Sequence, residues 1–304
     1  MNLIELNKVS KSYPGVLALN EISLKVKKGS IHGLLGPNGA GKTTAMNIIA
    51  GLTIPTSGEV LIKGNGVGLL PENPPLYLNM KVGEFLTFVA EINGVQRSIL
   101  KDQVKDIINK CGLSQVEGRL IGNLSKGYKQ RVGIASTLVF LPEIIIFDEP
   151  TVGLDPFSIM EIRELIISLK KDHTILLSTH QLHEANLVCT DITIISKGSI
   201  IQSGPISEIQ KAFRPRQVVK ALVRDWKIVP SAEILKEVRE FFPCENVEIE
   251  TKEDASTELR FLSPTSDDFR PKISNYLLKK NVGLLKFEEE AMDLEEIFIR
   301  STKG

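Results

Sequence analysis

The run Gly36-Pro37-Asn38-Gly39-Ala40-Gly41-Lys42-Thr43 follows directly on the apolar segment Ile31-His32-Gly33-Leu34-Leu35. Its spacing is G-x-x-x-x-G-K-[ST], a loop whose backbone amides cradle phosphates. Such a loop works only between a buried strand and a helix. The glycines let successive N–H groups curl inward, and the helix adds its positive N-terminal end. The chain is therefore expected to be α/β with a packed sheet. Lys42 is expected to reach the β- and γ-phosphates of a bound triphosphate and the Thr43 hydroxyl to ligate Mg²⁺. Gly36, Pro37, Asn38, Gly39, Ala40, Gly41 and Thr44 complete the expected phosphate-binding set. A Gly-rich turn with a chance lysine is the plain alternative, and the strand before it and helix after it argue against that.

Further segments place acidic and imidazole groups near this loop. Ile144–Phe147 and Thr174–Ser178 are continuously apolar and flank a helical stretch at 156–171, the pattern of parallel strands buried on both faces. Asp148 and Glu149 end the first strand and His180 follows the second, and strand carboxyl ends line the ligand crevice of such sheets. Residues 3–9 and 22–28 alternate as half-buried antiparallel strands about the turn Ser12-Tyr13-Pro14-Gly15. Thr43 to Leu52 reads as a helix stopped before Pro55, and 80–93, 98–111 and 126–140 also carry helical spacing. Asp191–Ser196 and Ser199–Gln202 read as a hairpin around Lys197-Gly198. His-x-x-His-Glu at 180–184 is not a zinc spacing, so His183 and Glu184 are expected to decorate a helix. Gly64-x-Gly66-x-Gly68 reads only as a turn.

The pattern changes near Arg214-Pro215-Arg216, dividing the chain into residues 1–213 and 214–304. The second part reads strand 217–224, helix 231–242, strand 246–251, strand 257–262, helix 267–281, strand 284–289 and helix 293–300. Its first six elements run β-α-β-β-α-β, the order of a ferredoxin-like split unit. The charge balance, 37 basic against 37 acidic residues, gives no overall basic field that would argue for nucleic acid. The three scattered cysteines, Cys111, Cys189 and Cys244, form no disulfide framework or metal cluster and fit a reducing compartment. The N-terminus lacks the basic and apolar regions of a signal peptide. Apolar runs fall far short of the ~20 residues that cross a bilayer.

Leu124-Ser125-Lys126-Gly127-Tyr128, Gly153-Leu154-Asp155 and Ser178-Thr179-His180, in this order around the phosphate loop and Asp148-Glu149, resemble the ATP-binding subunits of ABC transporters. The resemblance covers residues 1–213. It implies that Asp148 holds Mg²⁺ through its water shell, that Glu149 polarises the attacking water, that His180 contacts the γ-phosphate, and that Tyr13 stacks on adenine. It further implies that Ser125 and Gly127 contact ATP bound by an opposite subunit, with Asp155 bridging the halves. The subunits would then form a homodimer, or a heterodimer with a paralogue, around two ATP molecules.

The implied partner is a separate membrane permease, with this chain on the cytoplasmic face of the membrane. The C-terminal extension ending Asp293-Leu294-Glu295-Glu296-Ile297-Phe298 resembles exporters of the multidrug, polysaccharide and gliding-motility class. Two departures stand out. Lys126 and Tyr128 replace the small and amide residues usual in the signature segment. Glu72 stands where the family carries Gln, and is expected to remain a metal ligand. A soluble ATPase acting on ribosomes or DNA, and a non-hydrolysing nucleotide-dependent regulator, are the rival readings. The absence of a second ATP-binding segment or a long coiled coil weighs against the first, and retained Glu149 and His180 against the second.

Overall fold

The computed structural model describes residues 1–212, 218–224, 231–240, 244, 246–252, 256–262 and 269–290. They fall into two compact units, the first running from Met1 to Ile206 and the second beginning at Ser207. The expected boundary segment Arg214-Pro215-Arg216 lies outside the described residues, as do the final helix expected at 293–300 and its Asp293–Phe298 ending.

The first unit opens with β1 (Asn2–Tyr13) and β2 (Val16–Lys27), an antiparallel pair in which Tyr13 faces Val16 across the two-residue turn Pro14-Gly15. The strand β3 (Ile31–Leu35) leads through the phosphate loop into helix α1 (Lys42–Ile49). Next come β4 (Ser57–Ile62), β5 (Val67–Leu70) and three helices, α2 (Val82–Ile92), α3 (Arg97–Lys110) and α4 (Lys126–Leu138). The chain then alternates through β6 (Ile144–Asp148), α5 (Pro156–Leu169), β7 (Thr174–Thr179), α6 (Leu182–Val188), β8 (Asp191–Ser196) and β9 (Ser199–Pro205), before α7 (Ile206–Ala212).

Two sheets result. One is antiparallel in the order β2-β1-β4. The other runs β5-β6-β7-β3-β8-β9, parallel except for the closing strand β9. Every residue of β3, β6 and β7 is buried, so these strands need no polar face. The principal core joins the two sheets through α1. Leu6, Val9 and Leu24 of the antiparallel sheet, Met46 and Ile49 of the helix, and Ile146, Leu176 and Ile195 of the large sheet belong to one buried cluster. Removing the fully buried Met46 side chain to alanine would cost about 2–5 kcal/mol at such a site.

Several boundaries differ from the sequence expectation for physical reasons. Helix α1 stops at Ile49 rather than Leu52, because Gly51 takes φ 75 immediately after the cap. Strand β4 is largely exposed at the sheet edge, and β5 is only four residues long, so neither has the apolar run that marks a strand in sequence. Gly68 belongs to β5, whereas Gly64 and Gly66 form the turn before it. Glu184 does not merely decorate α6: it is buried and pairs with Arg163 at 2.8 Å.

The second unit takes α7 from Ser207 onward and then comprises β10 (Val218–Arg224), α8 (Ser231–Val238), β11 (Asn246–Thr251), β12 (Thr257–Leu262), α9 (Arg270–Lys279) and β13 (Gly283–Glu290). Its sheet is antiparallel throughout, in the order β11-β12-β10-β13. Alternate residues Val219, Ala221, Leu259 and Phe261 pack against Ile234 and Val238 of α8 and Ile273 and Leu277 of α9. Both helices therefore cover one face, and they are shorter than the 231–242 and 267–281 spans expected. Among the described residues no helix is long and apolar enough to cross a membrane.

His32 of β3 is buried, with Nε2 2.8 Å from Thr193 Oγ1 on β8. Desolvation lowers its pKa from the ordinary 6.5 to about 4. The unfolded chain therefore takes up a proton that the folded chain refuses. Stability is full above pH 6.5, and it falls by about 3 kcal/mol as pH drops from 6.5 to 4. We expect His32→Gln to flatten the unfolding free energy measured in urea over that interval relative to the parent; an unchanged slope would assign the pH dependence to other groups.

Candidate active site

Two glycines are demanded by close backbone approach at the phosphate loop. A Cβ on Gly36 would lie 2.4 Å from the Ile195 carbonyl oxygen, and one on Gly41, at φ 107, would lie 2.6 Å from that of Ala18. The loop is thus clamped between β8 and β2 before it enters α1. Lys42, the first residue of α1, is 6% exposed and folds back over the loop. Its Nζ donates to the carbonyls of Gly36 at 2.8 Å and Pro37 at 3.3 Å, and stands 3.5 Å from Glu149 Oε1.

The strand ends β6 and β7 bring the other groups to the same place, because adjacent parallel strands finish side by side. Thr43 Oγ1 donates to Asp148 Oδ2 at 2.9 Å, joining the phosphate loop to β6. Ser178 on β7 donates through Oγ to Asp148 Oδ1 at 2.5 Å and accepts the Glu149 N–H at 2.9 Å. Glu149 takes φ 48, a left-handed conformation uncommon for a non-glycine residue, and this turns its carboxylate toward Lys42 and His180. His180 Nδ1 lies 2.9 Å from Glu149 Oε2, while the buried Oε1 has no hydrogen-bond partner.

A cavity of about 430 Å³ is lined by Lys42, Thr43, Asp148 and Glu149 of these groups, while His180, Ser178, Gly36 and Pro37 stand behind its lining. Asn38 through Thr44 form its floor, Glu72, Asp148 and Glu149 line it, and Val16, Leu17 and Ala18 supply an apolar wall. A larger groove of about 1000 Å³ on the α2–α3 arm shares none of these residues. The small cavity combines a Gly-rich loop at a helix N-terminus, a buried lysine, and a carboxylate whose Oε1 makes no hydrogen bond. It can hold a polyphosphate and take a proton from water beside it. The oxygen donors Thr43 and Asp148, 2.9 Å apart with Glu72 in the same cavity, suit Mg²⁺, which takes one or two carboxylates and completes its shell with phosphates and water. Among the described residues no cluster of three or more His, Cys, Asp or Glu side chains is placed to hold a metal, so at this site phosphate and water oxygens would have to complete the shell.

Not every expected site residue is gathered here. Tyr13 is 44% exposed with Lys11 Nζ 5.0 Å from its ring centre, and it does not line the cavity; Val16 and Leu17, across the turn, do. Ser125 and Gly127 lie at the start of α4, outside the cavity lining. Ser125 caps that helix by accepting the Tyr128 N–H at 3.4 Å, and Gly127 sits against Ser158 of α5. Lys126 donates to the Val152 carbonyl at 2.9 Å, and Asp155 caps α5 through Ser158. The signature segment and the Gly153-Leu154-Asp155 loop thus pack on each other, apart from their own chain's phosphate cradle.

Sequence reasoning missed Ser178 as a participant. Its signal was a polar residue ending an otherwise apolar buried strand, which must find a partner. It also missed Val16 and Leu17, and Lys197.

A family model described as ABC transporter matches residues 19–152. The lantibiotic transport ATP-binding protein SrtF of Streptococcus pyogenes is 37% identical over 208 residues, covering 66% of this chain and 89% of its own. An uncharacterized ABC transporter ATP-binding protein, YhaQ of Bacillus subtilis (strain 168), is 29% identical over 307 residues and covers 98% of this chain and 97% of its own, spanning both units. Among solved structures, the dimeric structure of the bacterial ABC transporter cassette MJ0796 superposes with a TM-score of 0.61 at 25% identity, covering 68% of this chain and 98% of that one.

Ser178→Ala would strip Asp148 Oδ1 of its short hydrogen bond and leave the Glu149 N–H unpaired in a buried setting. The expected cost is about 1–3 kcal/mol, measured as a lower urea midpoint at unchanged slope. A midpoint equal to the parent's would show that water or a neighbouring hydroxyl replaces Ser178.

Proposed function

The chain belongs to the ATP-binding subunits of ABC transporters, which bind and hydrolyse ATP, and from that premise we propose that it works as a dimer around two ATP molecules to drive a separate membrane permease. The observation that carries the residue roles is the Glu149 carboxylate. It is held between Lys42 and His180 with Oε1 free of hydrogen bonds, directly beside the phosphate cradle.

In this reading backbone N–H groups of the loop from Asn38 to Thr44, together with the Lys42 ammonium, bind the β- and γ-phosphates. Water attacks the γ-phosphorus, the bond to the bridging oxygen breaks, and ADP and phosphate leave. Glu149 takes the water proton, and His180 holds that carboxylate in place and contacts the γ-phosphate. A positioned base of this kind contributes about 10²–10⁴-fold in rate. Mg²⁺, held by Thr43 and Asp148 with Glu72 nearby, would neutralise phosphate charge.

The dimer follows from what one chain leaves apart. Ser125 and Gly127 stand at the N-terminal end of α4, an anion-binding end, yet lie outside their own cavity, so an opposite subunit's ATP is the ligand that suits them. The dimeric solved relative supports this arrangement. Closing on ATP and opening after hydrolysis makes the dimer a two-state element that nucleotide biases. This subunit would sit on the cytoplasmic face of the membrane, against the permease that spans it. Export is the direction that the exporter-like resemblance favours.

Glu149→Gln is expected to retain ATP binding, slow turnover by at least about 10²-fold and accumulate an ATP-bound dimer visible by light scattering. Lys42→Ala should lose ATP binding in calorimetry, because the buried charge contact to phosphate is gone. Affinity purification of Glu149→Gln with ATP from gently solubilised membranes should bring down a polytopic membrane protein in stoichiometric amount. Recovery of ribosomal or DNA-associated proteins, with no membrane partner, would overturn the transporter reading.

A further inference from the structure

We propose that Lys197 is a second phosphate-binding cation of the nucleotide cavity, one that contacts the α-phosphate end of ATP and of ADP. The proposal rests on the reading of this cavity as the ATP site and adds to it a residue outside the phosphate loop.

Three observations converge on Lys197. It lines the cavity together with Gly198, although the two lie more than 150 residues from the phosphate loop in sequence. The β8–β9 hairpin is clasped against that loop: the Gly198 N–H donates to the Ala40 carbonyl at 3.0 Å, and the Asn20 N–H donates to the Gly198 carbonyl at 2.8 Å. A Cβ on Gly198 would meet the Ala18 carbonyl oxygen at 2.8 Å, so the hairpin tip is seated against both β2 and the phosphate loop.

The turn chemistry is the second observation. Ser196 pairs with Ser199, leaving a two-residue loop in which Lys197 takes φ 47 and Gly198 φ 77. Two successive positive φ values define the hairpin turn that favours Asn-Gly or Asp-Gly. A lysine in the first position carries a steric cost that a local asparagine would avoid. An uncommon backbone conformation bordering a ligand cavity is where function is to be sought.

The third observation is charge. Of the two lysines lining the cavity, Lys42 is engaged by the Gly36 and Pro37 carbonyls and by Glu149. Lys197 is exposed and makes no ion pair or hydrogen bond among the described residues, so its ammonium is available to a ligand.

Topology tells which part of the nucleotide it meets. In the sheet order β5-β6-β7-β3-β8-β9, the phosphate loop leaves β3. Glu72, Asp148 and Glu149 follow β5 and β6 on one flank, and Lys197 joins β8 and β9 on the other. The carboxylate flank is where metal and attacking water belong, so it takes the γ-phosphate. The Lys197 flank adjoins the Val16–Ala18 wall, so it takes the phosphate nearest the nucleoside. A contact there is shared by ATP and ADP.

The test is calorimetric titration of the full chain with MgATP and MgADP, comparing the parent, Lys197→Asn, Lys197→Arg and Lys42→Ala. Thermal unfolding of each protein without nucleotide is measured alongside. Lys197→Asn should weaken both nucleotides alike, by about fivefold as expected for an exposed charge contact. Its melting temperature should not fall, because asparagine suits the turn better than lysine. Lys197→Arg should keep the parental affinity. Unchanged affinity in Lys197→Asn overturns the proposal, and so does a loss confined to ATP, which would place the contact at the γ-phosphate. A parallel loss of thermal stability, unrescued by arginine, would reduce Lys197 to a structural role and also overturn it. Failure of the underlying site reading is distinguishable: the parent would then not bind ATP, or Lys42→Ala would bind it as well as the parent.

Discussion

A loop that binds phosphate through its own amides can do so only if it is prevented from moving. Here the restraint is the burial of α1 between two sheets. Met46 and Ile49 lock the helix between Leu6, Val9 and Leu24 on one side and Ile146, Leu176 and Ile195 on the other. The loop's other end leaves the wholly buried strand β3. Between these anchors Gly36 lies against the Ile195 carbonyl and Gly41 against that of Ala18, at distances no side chain would tolerate. The cradle is preorganised because the core on both sides of it is solid, and the remaining site groups depend on the same sheet for their places.

The second layer of organisation is polar. Thr43, Asp148, Ser178 and Glu149 form a continuous hydrogen-bonded chain across the ends of three elements, α1, β6 and β7. Each link fixes its neighbour's orientation, and Ser178 ties the Asp148 carboxylate to the backbone of Glu149. The left-handed backbone of Glu149 survives because this chain, the Lys42 ion pair and the hydrogen bond to His180 over-determine it. Buried polar groups so fully paired act as one unit. The exception is Glu149 Oε1, which makes no hydrogen bond and has the Lys42 ammonium 3.5 Å away.

Much of this was legible in the amino-acid order. The phosphate loop announces strand, turn and helix together, since no other local structure presents glycine amides and lysine to one anion. The apolar runs ending in Asp148-Glu149 and in Ser178-Thr179-His180 announce parallel strands whose carboxyl ends share an edge. The alternating first strands and the β-α-β-β-α-β order of the second unit were likewise readable as periodicity. Less legible were the exposed edge strand β4, whose polar sequence has no buried face to pattern it, and the four-residue β5. The helix ends at Ile49 and Val238 depend on caps and local packing that periodicity does not encode.

Sequence alone therefore determined the groups this protein has to work with: a Gly-rich phosphate loop with its lysine, two carboxylates ending one buried strand and a histidine following another, because each is a residue type at a fixed local spacing. Tertiary structure decided which distant residues share the cavity. It brought Val16 and Leu17 rather than Tyr13 to the apolar wall, made Ser178 the link between Asp148 and Glu149, and seated Lys197 against the loop at Ala40. It also kept Ser125 and Gly127 out of their own chain's cavity. These outcomes depend on which strands become neighbours in a sheet, and strand order is set by packing between segments far apart in the chain.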